Sequence, residues 1–207
     1  MRAMTKPIFQ RAAPAALLCT ALLLLPLLLL LLLGSPRAGA ADPPPLTPLM
    51  PLTPIPTLDL ERYMGTWVEV ARFPNRFQRD CAGPATATYS LQPEGRVRVV
   101  NRCPLADGKT DEAVGEARRI GDAGSPRLEV RFAPAWLSWL PMVWGHYWVI
   151  ELDAAYQLAV VSEPKREYLW VLSRTPNIEP AAWDALMLRL REKGFDLSRL
   201  KKAGAPG

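Results

Sequence analysis

Between Leu58 and Leu200, short runs rich in Val, Tyr, Trp and Thr alternate with clusters of Gly, Pro, Asn and Asp. This is the pattern of half-buried strands cut by turns. Eight strands are predicted near Thr66–Arg72, Ala85–Leu91, Arg96–Arg102, Glu112–Ile120, Arg127–Ala133, His146–Leu152, Gln157–Ser162 and Glu167–Arg174. In Leu128-Glu129-Val130-Arg131-Phe132 apolar and charged residues take turns, as a strand with one buried face requires. Gln92-Pro93-Glu94-Gly95 reads as the turn between the second and third strands, with Gly95 able to adopt positive φ. A helical repeat appears once. Glu179-Pro180 opens it, Trp183, Leu186, Met187 and Leu190 share one face, and Gly194 ends it.

Consecutive strands with short connections, followed by one amphipathic helix, predict an all-β fold: an eight-stranded antiparallel up-and-down barrel with the helix packed outside. A barrel of this size has an interior that can hold one small ligand. A two-sheet sandwich uses much the same pattern, and fold alone does not establish function.

Upstream, Arg2, Lys6 and Arg11 precede an apolar run from Ala15 to Leu33, and Ala38-Gly39-Ala40 supplies small residues for cleavage. Residues 1–40 are therefore predicted to be an export signal, although a run of 19 residues would also suffice for a retained anchor. Cys19 lies inside the run and follows Leu18, which is the wrong context for lipidation. Residues 41–57 contain seven prolines and read as a semi-rigid spacer of polyproline II type. The folded domain is expected at 58–200 and a tail at 201–207.

The formal charge of +5 does not signal nucleic-acid binding. Arg2, Lys6, Arg11 and Arg37 all precede the first acid, leaving 21 basic against 20 acidic residues in the rest of the chain. With His146 as the single histidine, no site needing two imidazoles can form. No cofactor or metal motif is present.

Leu60-Glu61-Arg62-Tyr63-Met64-Gly65-Thr66-Trp67-Val68-Glu69-Val70-Ala71-Arg72-Phe73 resembles the first lipocalin signature, a Gly-x-Trp entering the first strand after a short helical turn. Ala87-Thr88-Tyr89-Ser90-Leu91 and Tyr168-Leu169-Trp170-Val171-Leu172-Ser173-Arg174-Thr175-Pro176 are similar to the bacterial lipocalin and apolipoprotein D branch. The resemblance runs in order from Leu58 to Leu200. It implies that Gly65, Trp67 and Arg174 form the structural base of a calyx, with the Arg174 guanidinium across the Trp67 indole, a contact worth about 0.5–2 kcal/mol. It also implies reversible binding of a fatty acid, lysophospholipid or similar amphiphile by an exported protein, in the periplasm, at the outer membrane or secreted, monomeric or weakly dimeric.

Strand parity supplies lining residues for such a calyx. Tyr168, Trp170 and Leu172 share a face, as do Val130 and Phe132, and Tyr89, Val97, Val99, Tyr147 and Val149 join them if those faces point inward. Parity also places Glu69 beside Trp67, where a carboxylate needs a partner, for which Asn101 or Arg118 are candidates. Cys81 and Cys103 both belong at the open end of the barrel. A structural disulfide is expected there rather than a reactive pair, since neither has a Cys-x-x-Cys neighbour.

Phe132–Ile150 carries no formal charge over 19 residues and holds Trp136, Trp139, Trp144 and Trp148. Pro134, Pro141 and Gly145 argue against a membrane span. The segment reads as a long loop at the mouth, serving either as a self-packed lid or, through residues 134–145 and above all Trp136 and Trp139, as a contact with a lipid surface. The alternative function is an enzyme on the same scaffold, with His146 as acid or base and Ser162 and Asp153 as nominal partners. Their spacing matches no nucleophile elbow.

Overall fold

The computed structural model describes residues 50–203. The predicted signal with its Ala40 cleavage point, Cys19, the spacer as far as Leu49 and residues 204–207 lie outside them. The chain forms α1 (Leu60–Tyr63), β1 (Gly65–Arg72), β2 (Thr86–Leu91), β3 (Val97–Pro104), β4 (Thr110–Arg119), β5 (Arg127–Arg131), β6 (Gly145–Leu152), β7 (Leu158–Ser162), β8 (Leu169–Ser173), α2 (Pro180–Glu192) and β9 (Lys201–Lys202). Each strand from β1 to β8 pairs antiparallel with the next, and β1 also pairs with β8. The sheet therefore closes into a barrel without free edges. The ninth strand, Lys201–Lys202, lies in the expected tail and pairs with Arg72 and Ala71.

Alternation sorts the strand residues into two cores. Trp67, Tyr89, Val97, Val99, Leu128, Val149, Val161 and Leu172 point into the barrel. Ala71, Phe73, Ile150, Val160, Leu169 and Val171 point outward and are covered by Leu186, Met187 and Leu190 of α2. Glu179 caps α2 by accepting from the backbone N–H of Ala181 at 2.7 Å and Ala182 at 3.2 Å. Register shifts in β1 between Glu69 and Ala71, and in β6 between Val149 and Glu151. The β1 bulge reverses parity, so Ala71 and Phe73 serve the outer core while Arg72 turns inward beside Glu69.

The chain before α1 is fastened to the barrel. Leu52 is buried in the outer core, Ile55 N–H donates to the Val149 carbonyl at 3.0 Å, and Leu58 N–H donates to the Gly124 carbonyl at 2.8 Å. Phe132–Ile150 does not form a helix; it supplies a loop with two short 3-10 turns and then β6. Among the described residues no helix is long and apolar enough to cross a membrane.

Candidate ligand-binding site

The base of the barrel is built on Trp67, which has no solvent-accessible surface. Its indole N–H donates to the Tyr63 carbonyl at 2.9 Å, which ties β1 to α1. The Arg174 guanidinium lies 3.9 Å from the Trp67 ring centre and donates to the carbonyls of Met64 (2.7 Å), Thr66 (3.0 Å), Arg62 (3.1 Å), Tyr63 (3.3 Å) and Tyr156 (3.3 Å). Gly65 is needed where α1 turns into β1. Its φ is +93°, and a Cβ there would sit 3.2 Å from Arg174 Nη1.

Above Trp67 three tyrosines fill the lower lumen. The Tyr147 hydroxyl is 2.9 Å from that of Tyr63 and 2.9 Å from that of Tyr89. Burial pushes the Tyr89 phenol up to about 12 and also raises those of Tyr63 and Tyr147 well above the ordinary phenol value. All three are therefore protonated hydrogen-bond donors at any physiological pH. Together with Leu60, Met64, Val97, Val99, Ala117, Leu128 and Val130 they enclose an apolar cavity of about 10 Å³, room for a single oxygen-sized group. The lumen opens above them. Ala87, Asn101, Ala113 and Trp170 face inward by register, yet all keep solvent-accessible surface.

Midway up the wall Glu69 finds its partners, and they are neither Asn101 nor Arg118. Arg72 Nη1 donates to Glu69 Oε1 at 2.8 Å, and Gln78 Nε2 donates to Glu69 Oε2. Gln78 comes from the loop between β1 and β2, and its Oε1 accepts from the Trp170 indole at 2.9 Å and from Asn75 Nδ2 at 2.8 Å. Burial raises the Glu69 carboxyl above its ordinary value, opposed by Gln78 and Arg72. Arg118 points outward because its neighbour Ala117 takes the inner position, and it donates to Glu129 at 2.9 Å. Asn101 is on the inner wall, but its Oδ1 is buried without a partner.

Cys81 and Cys103 form a disulfide with Cα atoms 5.5 Å apart, joining the β1–β2 loop to the end of β3 at the mouth. The loop between β5 and β6 is held by its own backbone hydrogen bonds, among them Leu137 N–H to the Pro134 carbonyl at 3.0 Å and Leu140 N–H to the Leu137 carbonyl at 2.9 Å. Trp144 anchors it to the barrel, with the Arg118 guanidinium at 4.0 Å and that of Arg131 at 5.2 Å from its ring and its N–H donating to the Ser138 carbonyl at 2.8 Å. Trp136, Trp139 and Met142 are 73%, 74% and 85% exposed, and Phe77 on the adjoining β1–β2 loop is 65% exposed.

A family model described as a lipocalin-like domain matches residues 58–205. The chain belongs to the lipocalin family. Temperature-induced lipocalin-1 of Arabidopsis thaliana is 39% identical over 147 residues, covering 70% of this chain and 78% of that protein. Outer membrane lipoprotein Blc of Escherichia coli (strain K12) is 36% identical over 162 residues, covering 78% and 87% respectively. In fold, the chain is similar to insecticyanin of the tobacco hornworm Manduca sexta, with a TM-score of 0.57 at 17% identity over 73% of this chain and 83% of that one. Lipocalins bind small hydrophobic ligands, and as a class they carry rather than catalyse.

Within this lipocalin the predicted lining residues fall at three levels. Tyr89, Val97, Val99, Val130 and Tyr147 surround the small lower cavity, while Val149, Leu172 and Trp170 pack along the opposite inner wall. Phe132 and Tyr168 stand at the rim: Phe132 lies over Gly115, and Tyr168 stacks on Trp170 at 5.7 Å and 4°. Sequence parity missed Tyr63, Arg72 and Gln78. Tyr63 precedes the first strand, Arg72 is turned inward by a bulge, and Gln78 arrives from a loop. The residues named for the enzyme alternative do not form a constellation. His146 is exposed on the outer wall, 3.9 Å from Glu129 Oε1. Ser162 Oγ donates to the Tyr168 carbonyl at 2.6 Å, and Asp153 accepts backbone N–H groups of its own turn, between β6 and β7.

Proposed function

We propose that this lipocalin reversibly carries an amphiphile with one apolar chain, of fatty-acid or lysophospholipid type, in the cell envelope. The observation that carries the reading is the inner wall above the tyrosine floor, where Ala87, Ala113 and Trp170 face inward by register and keep solvent-accessible surface. Each methylene transferred there contributes about 0.8 kcal/mol, so a chain of modest length has ample driving force. The relative named outer membrane lipoprotein Blc supports an envelope location, and so does the basic, apolar and small-residue order of the first 40 residues.

The rim supports loading from a lipid surface. Trp136, Trp139 and Met142 project from a loop with no formal charge, and indoles favour the membrane–water interface. Met50, where the described chain starts, is at this same end: its carbonyl accepts from Arg166 Nη2, in the β7–β8 loop, at 2.7 Å. Native mass spectrometry of the protein purified from its host tests the proposal. A co-purified single-chain lipid is expected, displaceable by a fluorescent fatty acid; a bare protein mass with no uptake of the probe overturns it.

A further inference from the structure

One side chain fastens the loop between β1 and β2 to the inner wall of the barrel. Among the described residues, no backbone N–H from Asn75 to Asp80 bonds to a strand; those of Phe77 and Gln78 turn back on Asn75, at 3.0 Å to its Oδ1 and 3.5 Å to its carbonyl. The loop is pinned at its ends instead. Phe73 is buried in the outer core with its N–H on the Leu169 carbonyl at 2.9 Å, and Cys81 is held by the disulfide. Between these pins Arg76, Phe77, Arg79 and Asp80 are exposed while Gln78 reaches inward. Its carboxamide is used on both sides: Nε2 donates to Glu69 Oε2, and Oε1 accepts from the Trp170 indole at 2.9 Å and from Asn75 at 2.8 Å.

We propose that Glu69 and Trp170 form a ligand subsite that Gln78 fills as an internal stand-in, so that an amphiphile with a neutral head of primary carboxamide type, one N–H donor beside one oxygen acceptor, competes with Gln78 for it. This rests on the carrier reading above and names its head group. The barrel supplies the two complementary groups: Glu69, 4% exposed, presents an acceptor, and Trp170 presents an N–H on the accessible inner wall. The exchange is even in hydrogen bonds. The incoming amide takes over the bonds to Glu69 and Trp170, and the Gln78 amide turns out to the solvent that its neighbours already meet. Side-chain torsions suffice for this, because Arg72 Nη2 holds the Gln78 backbone carbonyl, at 3.2 Å, and not its amide. The ligand's apolar chain then tips the balance by burying surface that Gln78 does not have. Arg72 Nη1 stays on Glu69 Oε1 at 2.8 Å, so the pair keeps its charge balance. An ionised carboxylate sets acceptor against acceptor at Glu69 Oε2; drawing Arg72 to itself is its route to the same place, and the two heads are told apart by experiment.

Dodecanamide, N,N-dimethyldodecanamide and dodecanoate are the probes, on delipidated full-length protein. The two amides share a chain and a carbonyl, but the second has no N–H for Glu69. Gln78→Ala removes the competitor and is expected to bind dodecanamide about tenfold tighter than the unmodified protein does, and the dimethyl amide less than about threefold tighter. In the unmodified protein labelled with ¹⁵N, the Gln78 side-chain amide signal should move toward that of exposed glutamines as dodecanamide is added. Equal gains for the two amides, no gain, or a Gln78 signal that stays fixed at saturation each overturn the subsite and leave the carrier reading standing. A larger gain for dodecanoate than for dodecanamide overturns the amide assignment and gives the head group to Arg72. Failure of all three probes to bind either protein overturns the subsite and the carrier reading together. Should Gln78→Ala not fold, the Gln78 signal in the unmodified protein decides alone.

Discussion

The base and the rim of this barrel use the same residue types to opposite ends. At the base Trp67 is sealed from solvent, its N–H is bonded and its face is covered by a guanidinium. At the rim Trp136 and Trp139 project into solvent from a loop held by a third indole, Trp144. Aromatic area at the base therefore contributes to folding, while the same area at the rim is left for a partner. Substitutions should separate the two: those at the base cost stability, and those at the rim cost association.

The largest effect is expected at Trp67. Trp67→Ala removes the stopper, the bond to Tyr63 and the platform for Arg174, and should cost about 3–5 kcal/mol in denaturant unfolding. A loss under about 1 kcal/mol would mean that the base is not where stability resides.

The Glu69–Arg72 pair comes next, and it links the two regions because Gln78 ties it to the mouth. Arg72→Met leaves Glu69 buried without a cation, at a cost of about 3–5 kcal/mol at neutral pH. The direction with pH follows from the raised carboxyl. The folded state takes up the proton at higher pH than the unfolded chain, so stability increases as pH falls through the folded value and is lost as pH rises again. The variant should accordingly melt at higher temperature at pH 5 than at pH 8, by a wider margin than the unmodified protein. Equal melting at both would show that Glu69 is solvated.

How far the chain announces these features depends on how local they are. The strands fall within two residues of expectation because alternation is a property of neighbours, and Gly65, Trp67 and Arg174 are carried by short motifs. Arg72 could not be read. The bulge between Glu69 and Ala71 shifts every later residue of that strand to the other face, and no residue type in Val-Glu-Val-Ala-Arg marks it. Gln78 reaches Glu69 only after the loop folds back, and Tyr63 meets Tyr147 across 84 positions. The lumen's polar contacts are long-range, whereas its apolar lining is periodic. The second class was visible and the first was not.

Replacing Cys81 and Cys103 together by Ser tests the rim's own contribution to the fold. The bridge closes a sequence separation of 22, which corresponds to about 3 kcal/mol in the chain-entropy model. The loss should be the same at pH 5 and pH 8, unlike that of Arg72→Met, because no titrating group is exposed. A pH-dependent loss would indicate that the disulfide holds Gln78 against Glu69 rather than only shortening the unfolded chain.

The smallest effect on stability is expected where the aromatic residues are most exposed. Trp136→Ser/Trp139→Ser removes little buried surface and should change unfolding free energy by less than about 0.5 kcal/mol. Membrane contact is read with vesicles of phosphatidylethanolamine and phosphatidylglycerol carrying brominated acyl chains, which quench indoles at the interface whether or not the N-terminal apolar run also inserts. The unmodified protein should show a quenched fraction that disappears in the double variant. Trp144→Leu should reduce it while leaving Trp136 and Trp139 in place, since the loop then loses its hold on Arg118 and Arg131. Quenching that persists in the double variant would remove the docking role from this loop, and its exposed indoles would then need another partner.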